Sequence, residues 1–162
     1  MNKSKTAVLV LISFCVGIFA GGYLFSHSQP RSFLAIDQCK RCFTYEDLLG
    51  LLASVGIQRF HGLTPFKICE TDKTIAIKYP SRANQFHYVI VPKKDIKNIG
   101  QASEADAKYL IDAFLVARWI IEKEKLSSYR FYTNGPGWQD VTYLHFHLIA
   151  DTGKVGNLAI RP

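Results

Sequence analysis

Two histidines lie two positions apart in the segment YLHFHLIAD, residues 143–151, where apolar residues occupy the positions between and beyond them. Because successive residues of a strand point to opposite faces, this alternation predicts a strand with an apolar face toward the core. Tyr143, His145 and His147 would share the other face, with the two imidazoles about 7 Å apart along the strand. Two imidazoles at this spacing could reach one ligand.

Two explanations fit this pair when it is taken alone. The first is a polar outer face that happens to contain two histidines. The second is a metal pair, since alternate strand residues can converge on one ion, although no third ligand is obvious nearby.

The flanking segments point to a ligand-binding site rather than a polar outer face. The preceding loop, TNGPGWQDV, supplies Asn134 and Gln139, and its glycines, Gly137 among them, would let backbone amides approach a ligand closely. Upstream, FHYVIVPKKDI places His87 at the start of an apolar strand and basic residues at its end.

Together these segments resemble the histidine triad (HIT) family of nucleotide hydrolases and transferases. Its signature is a His-x-His-x-His strand that follows a Gln and a glycine-rich loop beginning after an Asn. Its second landmark is an apolar strand that begins with His and ends with Pro-Lys-x-His. The resemblance covers roughly residues 66–150, and the positions that match it or stand in place of a motif residue are His87, Pro92, Lys93, Asp95, Asn134, Gly135, Gly137, Gln139, Val141, Tyr143, His145 and His147.

The resemblance implies a role for each site residue. His145, the middle position, would be the nucleophile toward the α-phosphate of a nucleotide. His147 and Gln139 would stabilise the charge that develops at phosphorus. The remaining positions would contact the substrate or support its pocket: Asn134, Gly137, His87 and Tyr143.

Several positions depart from the family pattern. Tyr143 replaces the first His of the triad, and Asp95 replaces the His after Pro-Lys-x. Zinc-containing members bind the metal with those two His and a Cys-x-x-Cys pair. Because this chain has the cysteines, Cys39 and Cys42, but lacks both His, we expect no metal site and no cofactor. Cys39 and Cys42 could instead form a disulfide, with each other or one of them with Cys69, or remain two unpaired thiols. Tyr79 stands where the family commonly has an Asp for the ribose.

Hydrophobic periodicity predicts the elements that position these residues. Residues 44–56 form a helix that Thr44 caps and Gly56 ends, followed by a hairpin around TDK and a strand at 86–92. A long helix starts at a capping pair, Ser103 and Asp106, and two strands follow it, the second including VTYLHFHLIA. The buried stripe of the long helix is predicted to be Leu110, Ala113, Phe114, Ala117 and Ile121. The fold class is α+β, a HIT-like antiparallel sheet with the long helix packed on one face.

The N-terminus predicts a transmembrane helix that precedes this fold. An apolar run of 19 residues, 7–25, follows Lys3 and Lys5, and no charged residue appears before Arg31. Such a run is long enough to span a bilayer and longer than the usual cleavable signal, although cleavage after Ala20 or Gly22 stays open. We therefore expect a signal anchor at 1–25, a linker at 26–38 and a HIT-like domain at 39–162. The lysines place the domain in the periplasm or outside the cell.

The net charge of +7, from 20 Lys and Arg against 13 Asp and Glu, favours anionic partners such as nucleotides or membrane headgroups. Aromatic residues do not interleave with basic clusters, so nucleic acid is not indicated. Three functions stay open: a membrane-tethered nucleotide phosphoanhydride or phosphoramidate hydrolase or nucleotidyl transferase, a pyrophosphatase for lipid-linked nucleotides such as CDP-diacylglycerol, or a non-catalytic nucleotide-binding module. The resemblance also admits a homodimer.

Overall fold

A computed structural model describes residues 3–29, 44–81 and 84–150. The helices are α1 (Lys3–Phe25), α2 (Tyr45–Arg59) and α3 (Ala107–Lys123), and short 3-10 turns lie at His61–Leu63, Ile99–Gln101 and Glu104–Asp106. The strands are β1 (Lys67–Glu70), β2 (Thr74–Lys78), β3 (Phe86–Pro92), β4 (Arg130–Tyr132) and β5 (Phe146–Ala150). The predicted α+β class and element order are confirmed.

The five strands form one antiparallel sheet in the order β1-β2-β3-β5-β4. The TDK hairpin is confirmed, and Thr71 N donates to Thr74 O at 2.9 Å across its turn. Residues of alternate positions in β2, β3 and β5 pack under α3, including Ala76, Ile90 and Leu148. The opposite face of the sheet therefore carries His87, His147 and their neighbours.

The capping pair at the start of the long helix is confirmed, since both Ser103–Asp106 bonds of the capping box are present. The predicted buried stripe is only partly right. The residues that α3 buries are Ala113, Val116, Ala117 and Ile120. Small side chains at 113 and 117 let the helix approach the sheet closely, while Phe114 turns to one side, 54% exposed, and packs against Phe131 at 5.3 Å between ring centroids.

The helix α2 begins as predicted, because Asp47 N donates to the Thr44 side chain at 3.2 Å. The prediction that Gly56 ends it is wrong. The helix continues to Arg59, and Phe60 N donates to Gly56 O at 2.9 Å. The extra turn brings Ile57 over the sheet face that carries the histidines, and this packing outweighs the low helix propensity of glycine.

The histidine strand begins later than predicted, at Phe146 rather than Val141. Its partner β3 ends at Pro92, which has no N–H to extend the ladder. The preceding residues bond elsewhere instead: Leu144 N donates to Ile96 O at 2.6 Å, and Thr142 N donates to Glu46 O at 3.3 Å.

One helix of the described residues, Ser4–Phe25, is long and apolar enough to cross a membrane, judged by its length and composition. The linker prediction falls mostly outside the described residues, as do Cys39 and Cys42. Residues 26–29 are described and contact the domain, for example through a bond of 2.7 Å from Arg59 Nη2 to Ser26 Oγ. Of the cysteines in the described ranges, Cys15 and Cys69 are free thiols.

Two glycines of α2 give a matched test of its packing. A Cβ on Gly50 would lie 2.7 Å from the carbonyl oxygen of Thr142, whereas a Cβ on Gly56 would meet nothing within 4 Å. Gly56→Ala should stabilise the protein by about 0.5–1 kcal/mol through helix propensity. Gly50→Ala should destabilise it by about 1–3 kcal/mol, because backbone must move. Urea unfolding of both variants measures this, and shifts of the same sign would contradict the close packing of α2 on residue 142.

Candidate functional site

The site lies on the sheet face opposite α3. His147 pairs with Val89 on one side and with Tyr132 on the other, and Val89 in turn pairs with Ile77. The Tyr132 ring stacks on the His147 ring at 5.0 Å between centroids. The His145 ring meets the His147 ring edge-on at 4.9 Å. The sheet thus brings the two imidazoles of the motif into direct contact.

The orientation of the His145 ring is fixed by its own backbone. Its Nδ1 lies 2.7 Å from the carbonyl oxygen of Tyr143. Because a carbonyl oxygen only accepts, Nδ1 must carry a hydrogen, and in the neutral ring Nε2 then carries the lone pair. The hydroxyl of Thr133 donates to the His145 carbonyl at 2.7 Å and holds the same residue from the other side.

His87 and His147 form a second polar contact, with 3.0 Å between His87 Nε2 and His147 Nδ1. His87 Nδ1 is buried and has no hydrogen-bonding partner among the described residues. A buried N–H without a partner is rarer in proteins than an unpaired acceptor. We therefore assign the hydrogen to His87 Nε2, which donates to His147 Nδ1. His147 then carries its own hydrogen on Nε2.

Both of these imidazoles are held in the neutral form. Burial, and next the neighbouring His145 and His87, lower the pKa of His147 to about 4, while Asp140 acts weakly in the opposite direction. Burial also lowers the pKa of His87. At pH 7, His147 is therefore a neutral hydrogen-bond donor rather than a cation.

A cavity of about 500 Å³ opens beside these rings. The helix α2 forms one wall with Ala53 and Ile57, and the sheet forms the other with Ile77, Val89 and Val91. The lining also includes Val141 and six polar residues: Tyr79, His87, Asp140, Tyr143, His145 and His147. The cavity therefore combines apolar walls with a cluster of imidazoles.

The structure brings together four of the seven predicted site residues, His87, Tyr143, His145 and His147, in this one cavity. Gln139 and Gly137 line a neighbouring groove of about 390 Å³ that also contains Lys97.

The Gln139 side chain is buried and donates to the Lys97 carbonyl at 3.2 Å. Gly137 takes the left-handed φ of +83° that the loop needs there. Asn134 is half-buried and lines neither space.

The two positions that depart from the zinc-containing pattern have other partners. The buried Tyr143 hydroxyl donates to the Pro92 carbonyl at 2.9 Å. The Asp95 carboxylate, also buried, accepts from Gln29 N at 2.8 Å. In the described part of the chain, no three His, Cys, Asp or Glu side chains converge as a metal site requires, and a phenol bonded to a carbonyl does not fit the family's zinc ligand set.

Sequence reasoning missed two contributors. Tyr132 stacks on His147. Tyr132 and Arg130 occupy alternate positions of one strand and therefore share a face, and the charged Arg130 could have identified that face as the one away from α3. The apolar wall from Ala53 and Ile57 depends on how α2 packs across the sheet, and no local pattern predicts that.

Comparisons with known proteins agree with this geometry. The model of a family described as scavenger mRNA decapping enzyme C-term binding matches residues 62–159, well over half of the chain. A HIT family hydrolase from Clostridium thermocellum is 28% identical with a TM-score of 0.56, over 66% of this chain and 95% of that one. A HIT family hydrolase from Legionella pneumophila is 26% identical with a TM-score of 0.53, over 58% and 88%. A HIT family member from Bacillus subtilis is 25% identical with a TM-score of 0.51, over 60% and 72%.

The lowered pKa of His147 predicts a pH dependence of stability. Between its folded pKa of about 4 and the ordinary histidine value of 6.5, the unfolded chain binds more protons than the folded one. The free energy of unfolding should therefore fall as the pH drops through this window, and His87 adds to the same slope. Urea titrations from pH 7 to pH 4.5 measure it. A His147→Gln variant should show a shallower slope, and an unchanged slope would contradict the neutral buried imidazole.

Proposed function

We propose that this chain, which belongs to the family described as scavenger mRNA decapping enzyme C-term binding, hydrolyses a nucleotide phosphoanhydride through a histidine nucleophile. The hydrogen bond from His145 Nδ1 to the Tyr143 carbonyl supports this function most strongly, because it leaves Nε2 with the lone pair. Solved structures of two HIT family hydrolases with 26–28% identity support hydrolysis as the reaction class.

The first step is nucleophilic attack. Nε2 of His145 forms a bond to the α-phosphorus, and the bond from that phosphorus to the bridging oxygen breaks. The imidazole becomes a positively charged nucleotidyl adduct. Its Nδ1–H still donates to the Tyr143 carbonyl, and this charge-assisted bond stabilises the adduct.

The neighbouring imidazole stabilises the charge on the phosphoryl oxygens. With His147 Nδ1 accepting from His87, the Nε2–H of His147 is available to donate to a phosphoryl oxygen. A donor in a partly buried site is worth more than the same donor in water. His87 is thus a positioning residue, which sets the tautomer of His147.

The second step releases the product. Water attacks the adduct, the P–N bond breaks, and the proton of the water passes to solvent while His145 returns to its neutral form. The products are a nucleoside monophosphate and the phosphate-bearing leaving group. A phosphate departs as an anion and needs no proton, which suits a site whose His147 is neutral at pH 7 because its pKa is about 4.

A non-catalytic nucleotide-binding module is the second candidate. Gln139 and Gly137 line a groove apart from the histidine cavity, so the loop would have to shift to place the Gln amide at the phosphorus. A protein that binds nucleotides without turnover would show measurable affinity in calorimetry and no product in the assay below.

The N-terminal helix makes this a membrane-anchored, single-pass protein in our proposal, with the domain in the periplasm or outside the cell. Its support is the apolar helix Ser4–Phe25, in which the uncharged run 7–25 follows Lys3 and Lys5. A reporter fused after residue 162 should be active only on the non-cytoplasmic side. Activity confined to the cytoplasm would reverse the orientation.

The nucleophile is tested with a panel of nucleoside phosphoanhydrides and phosphoramidates. His145→Gly should lower kcat by at least a hundredfold, about 2.7 kcal/mol of barrier, because no second group can form the same adduct. His61→Ala is the control, since this exposed imidazole lies beside Glu70 and outside the cavity. If wild type turns over a substrate and His145→Gly keeps more than about a tenth of its rate, less than about 1.4 kcal/mol was lost and the assignment is wrong.

The same substrate panel tests whether His87 acts as a hydrogen-bond donor to His147 or only fills the pocket wall. A His87→Gln variant keeps an N–H that can reach His147, whereas His87→Leu removes it. The glutamine variant should retain more of kcat than the leucine variant at similar KM. Equal losses in both would show that His87 only fills the pocket wall.

A further inference from the structure

We propose that the substrate of this cavity is membrane-borne: a nucleoside diphosphate whose second phosphate is esterified to a lipid. The contacts of residues 23–29 would hold the cavity at the level of the lipid headgroups. This inference rests on the hydrolytic function proposed above and names the substrate class.

The end of α1 is docked onto α2 rather than connected to it loosely. The Arg59 guanidinium lies 4.2 Å from the centroid of the Tyr23 ring, and its Nη2 donates to Ser26 Oγ at 2.7 Å. Tyr23 lies inside the apolar span Ser4–Phe25. Arg and Tyr are both residues that favour the boundary between lipid and water.

Two further bonds fix the residues that follow. The hydroxyls of Ser28 and Ser54 lie 3.0 Å apart, and Gln58 Nε2 donates to Ser54 Oγ at 2.7 Å. Gln29 N donates to the Asp95 carboxylate at 2.8 Å. Ser54 and Asp95 are fully buried, so Ser28 and Gln29 bond to polar groups that lie beneath the surface of the domain.

The same helix bears the docking residues and the cavity wall. Ala53 and Ile57, one helical turn apart, line the cavity. Ser54 and Gln58, the adjacent pair one turn apart, face the docked segment. Adjacent positions of a helix point about 100° apart, so the membrane-proximal segment and the cavity lie on neighbouring sides of α2, within the width of one helix, about 10 Å.

The length of α1 determines where the cavity lies relative to the bilayer surface. A helix of 22 residues spans about 33 Å at 1.5 Å per residue, close to the hydrocarbon thickness of about 30 Å. Residues 26–29 would then lie in the headgroup layer, which is roughly 5–7 Å deep on each side. A cavity one helix away is within reach of a phosphate carried by a lipid.

The charge of the cavity favours the same substrate. Among its lining residues there is no Lys or Arg, one Asp, and His147 is neutral at pH 7. A nucleoside triphosphate or other terminal phosphate brings three or four negative charges, which this lining cannot neutralise. A pyrophosphate esterified at both ends brings two. The apolar walls suit the nucleoside, and the lipid chains stay in the bilayer.

The rim of the cavity fits a membrane surface as well. Tyr79 lines the cavity and is half exposed. Phe66, whose carbonyl accepts from the N–H of Lys78 next to Tyr79 in the chain, is 68% exposed. Tyrosine is enriched at the boundary between lipid and water.

The reaction balances without a further reactant. His145 Nε2 bonds to the phosphorus that bears the nucleoside, and the bridging P–O bond breaks. The lipid phosphate leaves as an anion and remains in the bilayer. Water then cleaves the P–N bond and releases the nucleoside monophosphate, with the surplus proton passing to solvent.

The test uses the full chain reconstituted in phosphatidylcholine vesicles. For each of the bases A, C, G and U, the nucleoside diphosphate is offered as its diacylglycerol ester in the vesicles and as its water-soluble glycerol ester. For the accepted base, kcat/KM should be at least tenfold higher for the diacylglycerol ester. Equal or faster turnover of the glycerol ester overturns the inference and leaves the hydrolytic function intact. Turnover of neither, together with no turnover of the soluble panel above, overturns both.

An Arg59→Ala variant tests the docking itself, with Arg118→Ala as its control, because Arg118 is exposed on α3 and pairs with Glu122. Arg59→Ala should lower the rate on the diacylglycerol ester at least fivefold and leave the glycerol ester unchanged, which also shows that the variant is folded. Ser26→Ala, a milder change to the same contact, should act in the same direction. Equal effects on both esters, or no effect on either, would contradict the docked geometry.

Discussion

The hydrogen bond between the His145 Nδ1–H and the Tyr143 carbonyl is the interaction on which the site depends. It fixes the tautomer and holds the ring that presents Nε2. For this bond to hold, the backbone of residues 143–145 must itself be immobile. Tyr143 is anchored by its hydroxyl on Pro92, and Leu144 by its backbone N–H on Ile96. These bonds hold residues 143–145 in place although they lie outside the hydrogen-bond ladder of the sheet.

Tyr143 gains a physical explanation from this arrangement. A histidine at its position could bind a metal with partners from elsewhere, but the tyrosine is buried and bonded to a backbone carbonyl. Its side chain therefore fixes the oxygen that orients His145. The His145 ring, the proposed nucleophile, is therefore oriented by hydrogen bonding alone, and the Asp95 carboxylate accepts from the backbone of Gln29.

The cavity also shows how an apolar environment directs imidazole chemistry. Burial and the proximity of like groups keep His147 neutral, with a pKa of about 4. The same burial leaves Nδ1 of His87 without a hydrogen-bond partner among the described residues. In the proposed function, such a site would distinguish substrates by charge, because it offers donors to a phosphoryl oxygen but little positive charge to a polyphosphate chain.

Local sequence predicted much of the fold because the decisive signals were local. The alternation around His147, the capping pair at Ser103 and the TDK turn each specify their element within a few residues. The errors lie where tertiary packing decides. Gly56 stays helical because Ile57 packs over the sheet, and the register of α3 follows the small residues Ala113 and Ala117.

Prediction of the site divides in the same way. The motif predicted that His145 and His147 lie together, since alternate residues of an extended segment share a face. It could not place Gln139, whose side chain bonds to Lys97, because a loop with Gly and Pro residues has no fixed periodicity. The docking of residues 26–29 on α2 likewise has no pattern in the sequence, as it joins positions such as Ser28 and Ser54 through single hydrogen bonds.

Chemical mapping of the covalent adduct decides between nucleophilic and purely binding roles of the imidazoles. Wild-type protein would be mixed with an accepted substrate labelled at the α-phosphorus, quenched in alkali within milliseconds and digested for mass spectrometry and phosphorus NMR. The geometry predicts label on Nε2 of His145, appearing and decaying at rates that account for turnover. Label on His147, or turnover with no labelled histidine at any time point, would contradict the proposed nucleophile.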